Sequence, residues 1–248
     1  MADIDIKLGI KTILDGIELA CKKRAPELQY TKPRLVAVSK TKPNDLIIEA
    51  YEAGQRHFGE NYVPELVEKA HSSDILEKCK DIRWHFIGRL QGNKVNKVLS
   101  VPNLFIIETV NSKKLATQLD QKWPEFSNDG SKLKIMLQVN TSGEDAKSGI
   151  EPKDLVDLAK HVRENCKNLQ LDGIMTIGKF GYDLELGPNP DFILLKKCRD
   201  EICQSLGWDY KNINLSMGMS DDYEHAIEMG STNVRVGSSI FGFRPKKE

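Results

Sequence analysis

The sequence predicts an α/β fold, a single (β/α)8 TIM barrel with an extra N-terminal helix. Eight short apolar runs alternate with helical patterns along most of the chain, which indicates a parallel sheet. Eight strand–helix units are also the number that closes a barrel. A doubly wound open sheet is the alternative fold. Its first strand usually leads into a glycine-rich turn, whereas the first apolar run here leads into residues 39–43, SKTKP, which contain no glycine.

The eight apolar runs have the features of buried strands. Most are rich in β-branched or aromatic residues, and polar or glycine-containing turns bound them. We expect one domain over 1–248, with the barrel core at about 30–245. The stretch 179–191 resembles an insertion, and the sequence assigns it no role. The predicted strands are 35–39, 57–61, 84–88, 104–110, 134–140, 172–178, 213–219 and 233–242.

Helical patterns lie between the predicted strands. In the segment 155–162, apolar residues recur at i, i+3, i+4 and i+7, which is typical of one helical face. Asp221 and Glu224 fit the start of a short helix, and Gly230 fits its end. Residues 6–22 predict an amphipathic helix that precedes the first strand of the barrel.

Composition and charge exclude several classes of protein. Of 248 residues, 40% are hydrophobic and 29% are charged, which suits a sizeable core and argues against a disordered chain. Lys plus Arg and Asp plus Glu number 36 each, so the formal net charge is zero. Proteins that bind nucleic acids usually carry a basic surface, and we therefore predict no nucleic-acid partner.

The cysteines predict neither a disulfide framework nor a metal site. The five form no CxxC pair, and no Cys/His spacing suits zinc, so we expect reduced thiols and no bound metal. No apolar run reaches the roughly 18 residues that a membrane span needs. Charges interrupt the apolar stretches at the N-terminus, and acidic residues appear early, so we predict no signal or transit peptide. The expected location is the cytoplasm, without membrane attachment.

Lys40 is the first candidate functional residue. Active sites of barrels lie at the C-terminal ends of the strands, and Lys40 follows the first apolar run. In strand alternation it shares the inward face with Val36 and Val38. Burial lowers the pKa of a lysine and favours Schiff-base formation with an aldehyde. The alternative is that the side chain extends from the strand end into water.

Arg235 is the second candidate. In the eighth run Val234 and Val236 alternate with Arg235, which predicts that the arginine faces the barrel interior. The eighth strand of a closed barrel pairs with the first, so we expect Arg235 to lie near Lys40. A structural arginine that pairs with a buried carboxylate is the alternative interpretation.

Two small-residue turns predict a phosphate site. Ser216 belongs to the turn that ends the seventh strand, and Gly237 and Ser238 belong to the turn that ends the eighth. These are the two loops that commonly bind phosphate in this fold, through backbone N–H groups and hydroxyls. Ordinary turn chemistry is the alternative, since Gly and Ser are common in turns.

Asn61 and His85 lie near the ends of the second and third strands, where both side chains are candidates for ligand contact. A histidine in a strand is more often a hydrogen-bonded core residue, and this alternative remains open for His85. The sequence contains no GxSxG, Walker A or HExxH pattern.

Five segments, in order along the chain, resemble the signatures of the pyridoxal phosphate homeostasis protein family. That family is similar in fold to the N-terminal domain of alanine racemase. The segments are VAVSKTKP at 36–43, HFGENY at 57–62, WHFIGRLQ at 84–91, LSMGMS at 215–220 and VRVGSSIFG at 234–242.

The resemblance implies that Lys40 forms a Schiff base with pyridoxal 5'-phosphate (PLP). It further implies that Arg235 contacts the pyridine nitrogen, that Ser216 and the turn of Gly237 and Ser238 bind the phosphate, and that Asn61 lines the cofactor site. Arginine can only donate a hydrogen bond, so the ring nitrogen would be unprotonated and a poor electron sink.

The expected function is PLP binding for vitamin B6 homeostasis, with delivery of the cofactor to apo-enzymes as a further part. A weak PLP-dependent amino-acid racemase is the main alternative, and a cofactor-free Schiff-base aldolase is another. The chain ends at Glu248 soon after the eighth strand, which leaves no room for the racemase's second domain. We therefore expect an open cofactor face and a monomer.

Overall fold

The chain folds into a closed barrel of parallel strands, as the sequence predicts. The structure, a computed structural model, describes residues 5–144 and 148–242. Each strand pairs with the next along the chain, and the last pairs with the first. The strands are β1 (Arg34–Val38), β2 (His57–Glu60), β3 (Arg83–Phe86), β4 (Leu104–Val110), β5 (Leu133–Gln138), β6 (Leu169–Met175), β7 (Asn214–Ser216) and β8 (Asn233–Val236).

Helices surround the barrel. They are α1 (Ile6–Lys22), α2 (Asn44–Glu52), α3 (Val63–Ala70), α4 (Ser73–Lys78), α5 (Val95–Leu99), α6 (Lys113–Lys122), α7 (Leu155–Asn165), α8 (Pro190–Leu206), α9 (Tyr223–Glu228) and α10 (Ser238–Phe241). Short 3-10 helices occupy Pro26–Leu28, Gly92–Lys94, Trp123–Glu125, Pro152–Asp154, Leu184–Leu186 and Tyr210–Asn212. Within the described part of the chain, no helix is long and apolar enough to cross a membrane.

Several predicted element bounds were wrong, including the end of the seventh strand, which stops at Ser216 rather than at 219. The eighth strand stops at Val236, where its register with Ala37 of β1 ends, and residues from Ser238 onwards form α10. The sixth strand begins at Leu169, where its register with Leu133 of β5 starts. Helix α9 begins after Asp222 rather than at Asp221; the Asp222 carboxylate accepts from the Met219 N–H at 2.7 Å and so closes the preceding turn.

The extra helix α1 is confirmed. Asp5 caps its start by accepting a hydrogen bond from the Leu8 N–H at 2.9 Å. Its buried face, which includes Ile10 and Ile17, packs against α9 and α10. A Cβ at Gly9 would lie 3.1 Å from the carbonyl oxygen of Ser239, so this glycine permits close approach. Helix α1 therefore packs on the outer side of the segment that follows β8 and supports it.

The strands of the barrel separate two buried regions, one between the strands and the helices and one inside the barrel. Outward side chains such as Phe58 and Trp84 pack beneath the helices in the main hydrophobic core. Inside the barrel, Ile106, Met136 and Met175 form a separate apolar cluster. Buried polar and charged side chains share that inner space, and they are the ones that position the candidate site.

Candidate functional site

The C-terminal mouth of the barrel brings the predicted Schiff-base lysine and phosphate turn together. Lys40 lies, half-buried, in the turn that follows β1. Gly237 lies beside that strand end, because a Cβ on it would be 3.2 Å from the Val38 carbonyl oxygen. The Gly237 N–H also donates to Ser220 Oγ at 3.2 Å, in the turn that follows β7. The ends of β1, β7 and β8 are therefore adjacent, as the sequence predicts.

A buried ion cluster holds the segment that leads into Lys40. The ammonium of Lys69, on α3, donates to the carbonyl oxygen of Ser39 at 2.8 Å. It also pairs with Glu60 and Glu65 at 2.7 Å each. The Ser39 hydroxyl donates to the same Glu60 oxygen at 2.6 Å. Burial raises the pKa of Glu60, while Lys69 and Ser39 act to lower it.

The residue after Lys40 adopts a costly backbone conformation. Thr41 has φ 63°, in the left-handed region that β-branched residues rarely occupy. Its N–H donates to Glu65 Oε1 at 2.5 Å, so the cluster that holds Ser39 also holds Thr41. Such strain persists only where the surrounding structure enforces it, and it is common at ligand sites. The backbone on both sides of Lys40 is thus fixed by α3.

Arg235 lies inside the barrel on β8, 4% exposed. Its Nη1 donates to Ser216 Oγ at 2.6 Å, and its Nη2 donates to the Thr176 carbonyl oxygen at 2.8 Å. Burial lowers the pKa of Arg235, and the charges of Glu108 and Asp222 oppose that effect. A guanidinium has five N–H groups, so these two bonds leave donors for a ligand.

Ser216, on β7, is fully buried beneath the mouth. Its hydroxyl donates to Glu108 Oε2 at 2.6 Å and accepts from Arg235 and from Asn233 Nδ2, the latter at 3.0 Å. The hydroxyl's hydrogen is therefore already engaged inside the barrel. The predicted contact between Ser216 and a phosphate stays a prediction.

The turn at Gly237 and Ser238 has the features of an anion cradle. Both residues are half-buried, and Ser238 begins α10. The N–H groups of Ile240 and Phe241 bond the Gly237 carbonyl oxygen. The first residues of a helix keep N–H groups without intrahelical acceptors, and a glycine before them allows close approach to the backbone.

Asn61 follows β2 and presents an unsatisfied polar atom. Its Oδ1 is buried and has no hydrogen-bond partner among residues 5–144 and 148–242. A Cβ at Gly88 would lie 1.8 Å from the Asn61 carbonyl oxygen, so only glycine permits the observed approach of the segment after β3. A buried amide oxygen without a partner is costly, and a ligand donor at the mouth would satisfy it.

His85 is a hydrogen-bonded core histidine, the alternative that the sequence left open. It is fully buried on β3. Its Nδ1 lies 2.6 Å from Glu108 Oε1, and its Nε2 lies 2.8 Å from His57 Nδ1. Both ring nitrogens therefore have partners within the barrel, and direct contact between His85 and a cofactor stays a prediction.

Sequence reasoning missed Glu108, Lys69 and Asn233, which hold the candidate residues in place. Glu108 carried a signal, because it is an acidic residue in the otherwise apolar run LFIIETV. A carboxylate inside a buried strand needs partners, and the structure supplies them from β3, β7 and β8.

Comparison with known proteins identifies the family. The family model of the alanine racemase N-terminal domain matches residues 21–245. The human pyridoxal phosphate homeostasis protein is 49% identical over 98% of this chain and 88% of its own length. The Caenorhabditis elegans protein of the same name is 46% identical over 98% and 99%. The chain belongs to the pyridoxal phosphate homeostasis protein family.

Solved structures of similar proteins share the fold. A protein from Bifidobacterium adolescentis is 34% identical over 95% of this chain and 94% of its own, with a TM-score of 0.79. PipY from Synechococcus elongatus with PLP bound is 30% identical over 96% and 100%, with a TM-score of 0.77. Alanine racemase from Clostridium difficile, 13% identical over 94% and 58% with a TM-score of 0.65, shows likeness of fold alone.

Replacement of Lys69 by Met should destabilise the barrel strongly, because it leaves Glu60 buried without its cationic partner. We expect the free energy of unfolding to fall by about 3–5 kcal/mol, measured by urea denaturation. Lys122→Met is the matched control, since Lys122 pairs with Glu125 on the surface and its loss should cost under about 1 kcal/mol. Equal effects of the two substitutions would contradict a supporting role for Lys69.

Acid should destabilise the barrel through His57. Burial, His85 and nearby cations lower its pKa from 6.5 to about 2 in the folded chain. The unfolded chain therefore binds a proton that the folded chain does not, so stability is full above pH 6.5 and falls as the pH decreases below it. We expect His57→Gln to flatten this fall, measured by urea denaturation from pH 8 to 4.5. An unchanged slope would show that His57 is not buried in its neutral form.

Proposed function

We propose that this chain binds PLP at the C-terminal mouth of the barrel and takes part in intracellular vitamin B6 homeostasis, as a cytoplasmic monomer. The observation that carries the proposal is that the turn bearing Lys40 and the turn of Gly237 and Ser238 lie side by side after β1 and β8, while Arg235 lies on β8 inside the barrel. A relative that resembles 96% of this chain, PipY, has a structure with PLP bound.

In this proposal Lys40 supplies the amine that holds the cofactor. The amine condenses with the aldehyde to give a Schiff base and releases one water, and hydrolysis returns both partners. The fixed backbone at Ser39 and Thr41 supports this role, because it orders the turn before the cofactor arrives. Less conformational entropy is then lost on binding.

Arg235 donates a hydrogen bond to the ring nitrogen of the cofactor in this proposal. Because a guanidinium keeps its protons, the ring nitrogen stays an unprotonated acceptor. A neutral ring withdraws electrons weakly, which disfavours carbanion chemistry and favours storage over catalysis. The turn of Gly237 and Ser238 takes the phosphate through the backbone N–H groups at the start of α10 and the Ser238 hydroxyl, since the Gly237 N–H already donates to Ser220.

Asn61 and Ser216 complete the proposed site in different ways. The buried Oδ1 of Asn61 accepts a hydrogen bond from the cofactor, which removes the cost of its missing partner. Ser216 contributes through Arg235, to which its hydroxyl is bonded. His85 does not contact the cofactor in this proposal. It contributes by bonding Glu108, which in turn accepts from Ser216.

Borohydride should attach the cofactor to Lys40. Reduction of the PLP-loaded protein converts the Schiff base to a stable secondary amine, and peptide mapping should find the modification on Lys40. The Schiff base should give an absorbance band near the visible edge. Lys40→Ala should lose both this band and the labelling by borohydride. Lys42→Ala is the matched control from the same turn and should keep both. A label on Lys42 in the wild-type protein would contradict the assignment.

Delivery to apo-enzymes should exceed release into solution. When the PLP-loaded protein is mixed with a PLP-dependent apo-enzyme, we expect activity to return faster than with the same concentration of free PLP. Lys40→Ala protein incubated with PLP serves as the control. Activity that returns no faster than with free cofactor would remove delivery from the proposal and leave storage. Exchange of the α-hydrogen of amino acids for deuterium, dependent on Lys40, would instead support the racemase alternative.

A further inference from the structure

A chain of hydrogen bonds runs inside the barrel from Arg235 towards its opposite end. Arg235 donates to Ser216, whose hydroxyl donates to Glu108. The other Glu108 oxygen lies 2.6 Å from His85 Nδ1. His85 Nε2 lies 2.8 Å from His57 Nδ1. The chain thus links four strands, β2, β3, β4 and β7, to the arginine on β8.

The positions of the hydrogens in this network follow from Glu108, whose oxygens accept hydrogen bonds. Glu108 accepts at both oxygens, so His85 donates from Nδ1 and must accept at Nε2 from His57. Burial lowers the pKa of His85 despite the opposing effect of Glu108, so the ring is neutral. Burial alone would raise the pKa of Glu108, but the hydrogen bond from His85 and the charge of Arg235 lower it, so the carboxylate is ionised.

Glu108 balances the charge of Arg235 across a single hydroxyl. Both side chains lie inside the barrel, Glu108 at 0% and Arg235 at 4% exposure. Asn233 Nδ2 links Glu108 to the intervening hydroxyl, since it donates to Glu108 Oε1 at 3.2 Å and to Ser216 Oγ at 3.0 Å. Asp222 also acts on the charge of Arg235. The Asp222 carboxylate accepts a hydrogen bond from the Met219 N–H and takes no part in the hydrogen-bond network described above.

We propose that Glu108 is the positioning residue that aims Arg235 at the pyridine nitrogen of the cofactor. The inference rests on the proposed function. A hydroxyl has one hydrogen, and Glu108 holds that of Ser216, so the lone pairs of Ser216 face Arg235 and Asn233. Arg235 Nη1 is thereby anchored, and the Thr176 carbonyl oxygen anchors Nη2. The plane of the guanidinium is fixed before a ligand binds.

Loss of the Glu108 charge releases this arrangement. In Glu108→Gln one carboxylate oxygen becomes an NH2 donor. With the remaining oxygen bonded to His85 and Asn233, that donor faces Ser216. The Ser216 hydrogen therefore turns towards Arg235, and Nη1 loses its acceptor. The guanidinium still carries its charge, but its direction is no longer defined. The cofactor's phosphate and aldehyde contacts at Ser238 and Lys40 do not involve Glu108, so only recognition of the ring nitrogen should suffer.

The test compares PLP with its analogue in which C–H replaces the ring nitrogen. Affinities for both are measured by absorbance titration on the wild type, Glu108→Gln and Arg235→Met. We expect the wild type to prefer PLP by roughly 10- to 100-fold, the ratio typical of one hydrogen bond to a charged group. Glu108→Gln should lose most of that preference while its affinity for the analogue changes little. Adding Arg235→Met to Glu108→Gln should cost little more.

Two further variants control for folding and for burial. Ser216→Ala keeps both charges and removes the link between them, so it should reduce the preference as Glu108→Gln does, even if the latter fails to fold. Asp172→Asn alters another largely buried carboxylate, bonded to Asn214 at 3.0 Å, and should keep the wild-type preference.

The outcomes separate the inference from the function on which it rests. An unchanged preference for PLP in Glu108→Gln or in folded Ser216→Ala overturns the positioning role. If Glu108→Gln loses affinity for PLP and for the analogue equally, the positioning role is also overturned, because such a loss indicates that Glu108 has only a structural role. A wild type that binds neither ligand refutes the proposed function itself.

Discussion

The pairing of β1 with β8 is the constraint on which the candidate site depends. It closes the barrel in the register that sets Val36 opposite Arg235 and Ala37 opposite Val236. With that register, the turn that bears Lys40 follows β1 just where the Gly237 turn follows β8. A shift by one residue would reverse the facing of every side chain on the strand and turn Arg235 out of the interior. Barrel closure and assembly of the site are therefore one event.

Buried charges are the cost of this arrangement, and two groups of charged side chains support the candidate site. Lys69, Glu60 and Glu65 lie behind the Lys40 turn, and Glu108 with Arg235 lies within the barrel. A well-packed apolar group is usually at least as stable as a buried ion pair, so stability alone does not account for either group. What each provides is direction: the first fixes the backbone around Lys40, and the second fixes a guanidinium. Both are therefore better understood as supports for a ligand site than as contributions to stability.

The sequence predicted the elements and the strand-end residues well, because both follow from local periodicity and from counting units. The alternation in NVRV placed Arg235 inside the barrel, and the eight runs placed β8 beside β1. The partners of these residues could not be predicted in the same way. Glu108 meets His85 because the register between β3 and β4 shifts after Trp84, where Ile106 rather than Phe105 pairs with His85. Such an irregularity depends on packing across strands, and no pattern within either strand encodes it.

The same network of hydrogen bonds bears on the electronic state of a cofactor held as proposed. Catalysis on amino acids needs a ring that accepts electrons, and protonation of the ring nitrogen provides this best. A guanidinium keeps its proton because its pKa is high, and the charge of the fully buried Glu108 acts to raise the pKa of Arg235 further. To make the ring a better sink, the chain would have to replace Arg235 with an acid. That acid would then face Glu108 across Ser216, two buried carboxylates without a cation between them. The inner network thus disfavours the substitution that would raise catalysis, and under the proposed function it favours a site that binds and releases.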